Sequence, residues 1–113
     1  MSRKNALTAS PPLMVENALR EFGGRLRAAR LARNLTIAAV AEKIGTGRRA
    51  VSDAELGKPG VSGAVYVALL WAYDLMEELK TLADPARDVV AQANLRSRER
   101  ARSSPRGALD NDF

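Results

Sequence analysis

The chain has 113 residues, enough for one domain with a hydrophobic core. Apolar residues make up 46% of it and are dominated by Ala, Leu and Val, a composition that favours packed helices over a sheet. Cysteine and histidine are both absent, which excludes disulfides and thiolate metal sites and removes the commonest general base. We therefore expect an all-α protein without metal or cofactor, and not an enzyme.

The charge distribution is uneven along the chain. The net charge is +5, and residues 14–60 hold nine Lys and Arg against five Asp and Glu, whereas residues 61–95 are acidic. A basic region attracts phosphates through counterion release. No apolar run approaches the roughly 20 residues that span a bilayer, and residues 1–12 lack the apolar core of a signal peptide. We expect a cytoplasmic protein that does not contact a membrane.

In chain order, residues 1–13 are expected to form a flexible N-terminal arm. A helical pattern starts at Met14, and its apolar stripe consists of Leu19, Phe22, Leu26 and Ala29. Two glycines at 23–24 interrupt this stripe and could instead mark the start of the helix. Asn34 is suited to the left-handed conformation that ends a helix.

Residues 36–57 predict two short helices joined by a tight turn. Thr36 is expected to cap a helix over 37–44, and Gly45 to end it with a positive φ. A second helix is predicted over about 47–56. Two helices that cross closely need a small residue at the contact and apolar inner faces, and Ala41 supplies the first. Val40, Ile44, Val51 and Ala54 supply the inner faces.

The remaining chain predicts further helices and a tail. Ser62 is expected to cap a helix over 63–73, residues 75–82 form a fifth segment, and Pro85 is suited to the first position of a last helix. We divide the chain into the N-terminal arm (1–13), a domain that contains the two-helix motif (14–83), a C-terminal helix (84–95) and a basic, disordered tail (96–113). The C-terminal helix is a possible dimer or partner contact.

The segment over 20–75 resembles the phage-repressor family of helix-turn-helix proteins (the Xre/Cro type). The similarity rests on Leu35-Thr36, Ala41-Glu42, Ile44-Gly45 and Val51-Ser52, and on Glu55 followed by Gly57. The stretch from Lys58 to Asp88 is also similar to small HipB-like antitoxin regulators, which are encoded beside HipA-like toxin kinases. The resemblance implies a five-helix phage-repressor-like domain, here with an extra C-terminal helix and flexible tails.

By position, the resemblance implies that the second helix of the motif lies in the major groove and the first braces the backbone. Arginine can donate two hydrogen bonds to guanine, whereas a carboxylate can accept one from cytosine but repels phosphate. Phosphate contacts hold the protein in register. The residues placed at DNA are Arg48, Arg49, Ser52, Asp53, Thr46, Gly47, Thr36 and Lys58.

The family also pairs an arginine near the end of its first helix with a glutamate after its third, here Arg30 and Glu55. We expect a partly buried structural ion pair. Three positions depart from the family pattern: Ile37 replaces a phosphate-binding glutamine, Ala54 a larger apolar residue, and Asp53 a basic or neutral one. These departures predict DNA contacts that differ from the family pattern, or weakened or protein-directed binding.

Trp71 and Val67 lie one turn apart on a predicted helix. Trp71 is either a core residue or, with Val67, part of a dimer or partner interface, because exposed apolar patches often mark partners. Tyr66, Leu69, Leu70 and Tyr73 are expected in the core. The basic tail either contacts DNA or is simply solvated.

The leading functional hypothesis is a sequence-specific repressor that binds double-stranded DNA as a homodimer at an inverted repeat. It would be nucleoid-associated and autoregulatory, with residues 14–83 as its helix-turn-helix DNA-binding domain, and could be the antitoxin of a toxin–antitoxin pair. The alternative is a protein-binding antitoxin whose main role is to neutralise a cognate toxin, a HipA-like kinase or another, with DNA binding secondary.

Overall fold

The computed structural model describes residues 5–103, which form six α-helices and two 3₁₀ helices. The α-helices are α1 (Ala6–Ala9), α2 (Leu13–Ala32), α3 (Ile37–Ile44), α4 (Arg48–Glu55), α5 (Gly63–Ala72) and α6 (Val89–Ser103). The 3₁₀ helices are Met76–Thr81 and Pro85–Arg87. No strand occurs within this described range, and the expected all-α class is confirmed. The contacts divide the chain into two compact units, one ending at Met76 and the other starting at Glu77.

The helix ends of the first unit follow local chemistry. Thr36 Oγ1 accepts a hydrogen bond from Ala39 N at 3.0 Å, and Ser62 Oγ accepts one from Val65 N at 3.4 Å. Asn34, just beyond α2, has φ of 54°, and Gly45 after α3 has φ of 80°. Each side-chain oxygen satisfies an amide that the helix itself leaves unpaired. The caps and stops predicted at these four residues are therefore confirmed.

The core of the first unit lies where α4 meets α2, α3 and α5. Its largest fully buried side chains are Tyr73, Leu26, Leu69, Val40 and Val51. The predicted core residues Tyr66 and Leu70 are also buried, and Phe22 stacks on Tyr66 with ring centroids 5.2 Å apart. Because α4 contacts three other helices, its orientation depends on all of them.

Helix α2 is continuous through the glycine pair, and its packing against α4 explains why residue 23 is a glycine. A Cβ at residue 23 would lie 2.6 Å from the carbonyl oxygen of Glu55 and closer still to that of Ala54. The two helices thus approach each other backbone to backbone, which only glycine permits here. The neighbouring Gly24 faces open space. The alternative in which the helix begins at the glycine pair is wrong, because α2 starts at Leu13.

The N-terminal arm is partly helical. Asn5 Oδ1 accepts a hydrogen bond from Thr8 N at 2.8 Å and so caps the one-turn helix α1, within the range 1–13 that was expected to be flexible. Residues 1–4 lie outside the described residues. This cap is the local reason why a helical turn forms there.

In the second unit, α6 packs on the 3₁₀ helix Pro85–Arg87, and Gln92 Nε2 donates to Pro85 O at 2.7 Å. The helix predicted to end at residue 95 continues to Ser103, into the segment that was expected to be disordered. Alanine, arginine and glutamate have high helix propensity, and arginines near a helix C-terminus interact favourably with its dipole. Residues 104–113 of the predicted tail lie outside the described residues.

Substituting the two adjacent glycines tests the close approach of α2 and α4. Gly23→Ala is expected to reduce the free energy of unfolding by about 1–3 kcal/mol, because the added methyl collides with the backbone of α4. Gly24→Ala is the matched control. It is expected to increase the free energy of unfolding by about 0.5–1 kcal/mol, because alanine has a higher helix propensity than glycine. Urea unfolding measures both. Equal effects of the two substitutions would contradict the packing.

Candidate nucleic-acid interface

The turn between α3 and α4 is tight because Gly45 reverses the chain. Gly45 N donates to Ala41 O at 3.0 Å, and Thr46 N donates to the same carbonyl at 2.9 Å. The second of these bonds requires the left-handed backbone that Gly45 adopts, with φ of 80°. Ala41 is 2% exposed, consistent with the small residue expected in the α3 inner face. The chain therefore re-enters a helix at Arg48 after three residues.

Helix α4 has one buried side and one open side. Val51 and Ala54 are fully buried and fix the inner side. Arg48 and Arg49, at the N-terminal end, are exposed, while Ser52 and Asp53 are half-buried. The first turn of a helix also carries unpaired N–H groups and partial positive charge. This end of α4 is therefore suited to an anionic or hydrogen-bond-accepting partner.

A buried ion pair connects α4 to α2. Arg30 Nε donates to Glu55 Oε2 at 2.6 Å, and Arg30 Nη2 donates to Glu55 Oε1 at 3.0 Å. The residues are only 7% and 8% exposed. Arg30 Nη1 also donates to Leu35 O at 2.9 Å, so one guanidinium joins α2, the loop before α3, and the end of α4. The contact expected between Arg30 and Glu55 is present.

The buried Tyr73 lies near this pair. Hydrogen bonding to the Glu55 carboxylate raises the pKa of Arg30, against the opposing effect of burial. Burial raises the pKa of the Tyr73 phenol, and the nearby Glu55 charge adds to it. Within residues 5–103, Tyr73 Oη has no hydrogen-bond partner. The Arg33 guanidinium lies 5.7 Å from the centroid of the Tyr73 ring. The buried pair and the Tyr73 phenol are therefore close enough to interact electrostatically.

Comparison with known families agrees with this geometry. A family described as a helix-turn-helix domain matches residues 21–83, more than half of the chain. The chain belongs to the helix-turn-helix domain family. No curated protein and no solved structure gives a significant match. Helix-turn-helix domains bind DNA through the second helix of the motif, so membership assigns the chain to the DNA-binding regulators.

In this helix-turn-helix domain, α3 and α4 are the motif helices and α4 corresponds to the reading helix. Thr36 caps the start of α3, and Gly47 is the N-cap of α4 without a side-chain bond. Thr46 lies half-buried in the turn between them. Lys58 follows α4 and has a half-exposed side chain. The structure therefore places these predicted DNA-contacting residues at the helix starts and loops around α4, and their contacts with DNA stay predictions.

An open groove runs along one side of α4. It has a volume of about 720 Å³ and is lined by parts of α4, the following loop and the start of α5, with residues of α1 at its edge. Thr46, Ala50, Asp53 and Lys58 are among its lining residues. The groove brings together three of the residues that the sequence places at DNA, but not Arg48 or Thr36.

Asp53 lies among cations within this surface. Its Oδ1 is 3.0 Å from Lys58 Nζ, and its Oδ2 is 3.9 Å from Arg49 Nε. The sequence places Asp53 at DNA but does not indicate Lys58 as its partner, because Lys58 belongs to the following loop rather than to α4.

Trp71 and Val67 lie on the surface of α5, 54% and 41% exposed. Of the two alternatives for Trp71, the core position is wrong, because the inner face of α5 is already filled by Tyr66, Leu69 and Leu70. Lys43 Nζ lies 5.4 Å from the Trp71 ring centroid, a contact that sequence spacing does not reveal.

Between residues 5 and 103, no cluster of Asp and Glu is arranged to hold a metal ion. Over the same range no helix is long and apolar enough to cross a bilayer.

Removing the buried carboxylate tests how far α4 depends on the ion pair. Glu55→Ala leaves the Arg30 charge buried without its partner and is expected to cost about 3–5 kcal/mol of unfolding free energy. Glu55→Gln retains one accepting oxygen and is expected to cost less. Glu16→Ala breaks an exposed pair with Arg20 and serves as control, with an expected cost below about 1 kcal/mol. Thermal and urea unfolding measure these differences, and a Glu55→Ala protein as stable as the control would refute the role.

Proposed function

We propose that the chain is a sequence-specific transcriptional repressor of the Xre/Cro type. It inserts α4 into the major groove, where Arg48 and Arg49 meet base edges and flanking phosphates. The observation that supports this most is the exposure of both arginines on a helix whose opposite side is fully buried. A rigid support is what base recognition needs, because bidentate hydrogen bonds to guanine tolerate little displacement.

Phosphate contacts would come from residues around the two motif helices. Thr36 and Thr46 lie near helix starts, where amide groups and the helix dipole favour an anion. Lys58 supplies a positive charge from the following loop. Such contacts orient the protein and carry no sequence information. Repression would be steric, through occupancy of a promoter, and we propose that the promoter is the chain's own.

Arg48→Ala tests the proposed base contact. On a duplex selected from a random library, binding is expected to weaken roughly 5- to 150-fold, as for the loss of one bidentate base contact. On a random-sequence duplex of the same length the loss is expected to stay near threefold, as for one phosphate contact. Electrophoretic mobility shift at fixed salt measures both.

The matched control is Arg25→Ala, which removes an exposed arginine from α2. It is expected to change neither affinity by more than about twofold, because surface charges outside the contact act only weakly in salt. Equal losses of selected and random binding by Arg48→Ala would make Arg48 a phosphate contact. Failure of the unmodified chain to select any duplex would refute the proposed function.

The repressor is proposed to act as a homodimer that joins through Val67 and Trp71 of α5. These side chains form an exposed apolar pair on the unit that contains α4, and Lys43 lies against the tryptophan ring. A two-fold dimer presents two α4 helices to half-sites about one helical turn apart, which matches an inverted repeat. An exposed tryptophan is the type of residue that dominates protein interfaces.

Trp71→Glu is expected to raise the dissociation constant of the dimer at least tenfold, because a carboxylate is costly to bury at an interface. Analytical ultracentrifugation measures it. Met14→Glu, at a residue that is 85% exposed on α2, is the control and is expected to leave the dimer intact. Identical dimerisation of both variants would exclude this surface.

A second candidate function is a HipB-like antitoxin that neutralises a cognate toxin. The observation favouring it is the second unit, where Leu82, Val89 and Val90 are each at least 67% exposed. Large exposed apolar side chains on a short helical unit are typical of a surface that binds another protein. A toxin reading frame beside this gene would favour this function. It would also be favoured if deletion of residues 96–113 abolished toxin neutralisation but left operator binding intact.

A further inference from the structure

Asp53 is the acidic residue on the open side of α4. The other acid of that helix, Glu55, is buried against Arg30, whereas the Asp53 side chain is 25% exposed. Asp53 Oδ1 holds Lys58 Nζ at 3.0 Å, and Asp53 Oδ2 lies 3.9 Å from Arg49 Nε. One carboxylate therefore faces two of the cations that are proposed to meet DNA.

These contacts compete with phosphate binding. A Lys58 ammonium that contacts a phosphate must leave or share its carboxylate partner, and the carboxylate repels the same phosphate. The Lys58 side chain is 51% exposed, so a phosphate can reach it from the open groove beside α4. Arg49 is restrained less, because it lies farther from the Asp53 carboxylate than Lys58 does and its side chain is 90% exposed.

We infer that Asp53 limits the affinity of this chain for DNA of any sequence, by neutralising Lys58 and repelling phosphate, and does not act as a base-reading residue. The inference rests on the proposed function, since it requires that α4 and its following loop face DNA. It replaces the expectation that Asp53 accepts a hydrogen bond from a base. Its consequence is a shorter residence on non-operator DNA, so that base contacts account for a larger share of binding.

The test is the sign of the change caused by Asp53→Asn, which keeps the shape and removes the charge. On a random-sequence 30-base-pair duplex, the affinity is expected to rise roughly three- to tenfold at low salt. The slope of log affinity against log salt is expected to steepen by about one, the value for one additional phosphate contact. A selected duplex is expected to gain by a similar factor. Fluorescence anisotropy across a salt series measures the two affinities and the slope.

Asp74→Asn is the matched control. Asp74 follows the C-terminal end of α5, about 15 Å along that helix from its start near Lys58, and asparagine is well suited to its φ of 61°. The same change of net charge at this site is expected to raise affinity less than twofold. Equal gains from both substitutions would overturn the inference, because net charge alone would then explain them.

A double variant tests the role of Lys58. In a Lys58→Gln background, Asp53→Asn is expected to gain at most about half as much in log affinity, because the restrained cation is gone. An unchanged gain would overturn the pairing, and a loss of affinity for Asp53→Asn on the selected duplex would identify Asp53 as a base contact. Thermal unfolding of each variant confirms folding, which a partly exposed ion pair affects little. Failure of the unmodified chain to bind either duplex would refute the proposed function itself, whereas normal binding without a gain would refute only this inference.

Discussion

The bidentate contact between Arg30 and Glu55 is the interaction on which the arrangement of this domain depends. It joins the last turn of α2 to the last residue of α4 at 2.6 and 3.0 Å. The third hydrogen bond of Arg30, to Leu35 O, also holds the loop that leads into α3. One side chain therefore positions the first motif helix and the reading helix relative to α2.

A buried ion pair is not in itself a strong source of stability, because removing two charges from water offsets most of their attraction. Its contribution here is geometric. The planar guanidinium donates both hydrogen bonds to the carboxylate in one orientation, which restricts the rotation of α4 about its own axis. Gly23 acts in the same direction, since it lets α2 approach the backbone of α4 at the same two residues, Ala54 and Glu55. The C-terminal end of α4 is thus fixed by charge and by steric fit together.

Local chemistry made much of this fold predictable. Thr36, Gly45 and Ser62 mark helix ends because their caps and backbone conformations depend on a few neighbouring residues. The contact between Arg30 and Glu55 followed from a family resemblance, since no local rule connects residues so far apart in the chain.

The features that could not be predicted from the sequence depend on long-range packing. The role of Gly23 requires knowing that α4 lies opposite, and the exposure of Trp71 requires knowing which side of α5 faces the core. The length of α6 was missed for another reason. Its arginine-rich end has no apolar periodicity, and periodicity indicates burial rather than helix formation, whereas α6 is helical without a buried residue.

The separation of α4 into a fixed side and an open side has a functional consequence. The residues that hold the helix, Val51, Ala54 and Glu55, are buried and take no part in its open side. The residues of the open side make no buried contact whose loss unfolds the domain, so their charges can vary with little effect on stability. Asp53 is a case in point, since its ion pairs are with cations of the open surface and not with the buried core. A reading helix held in this way can change its affinity and its sequence preference independently of the fold that presents it.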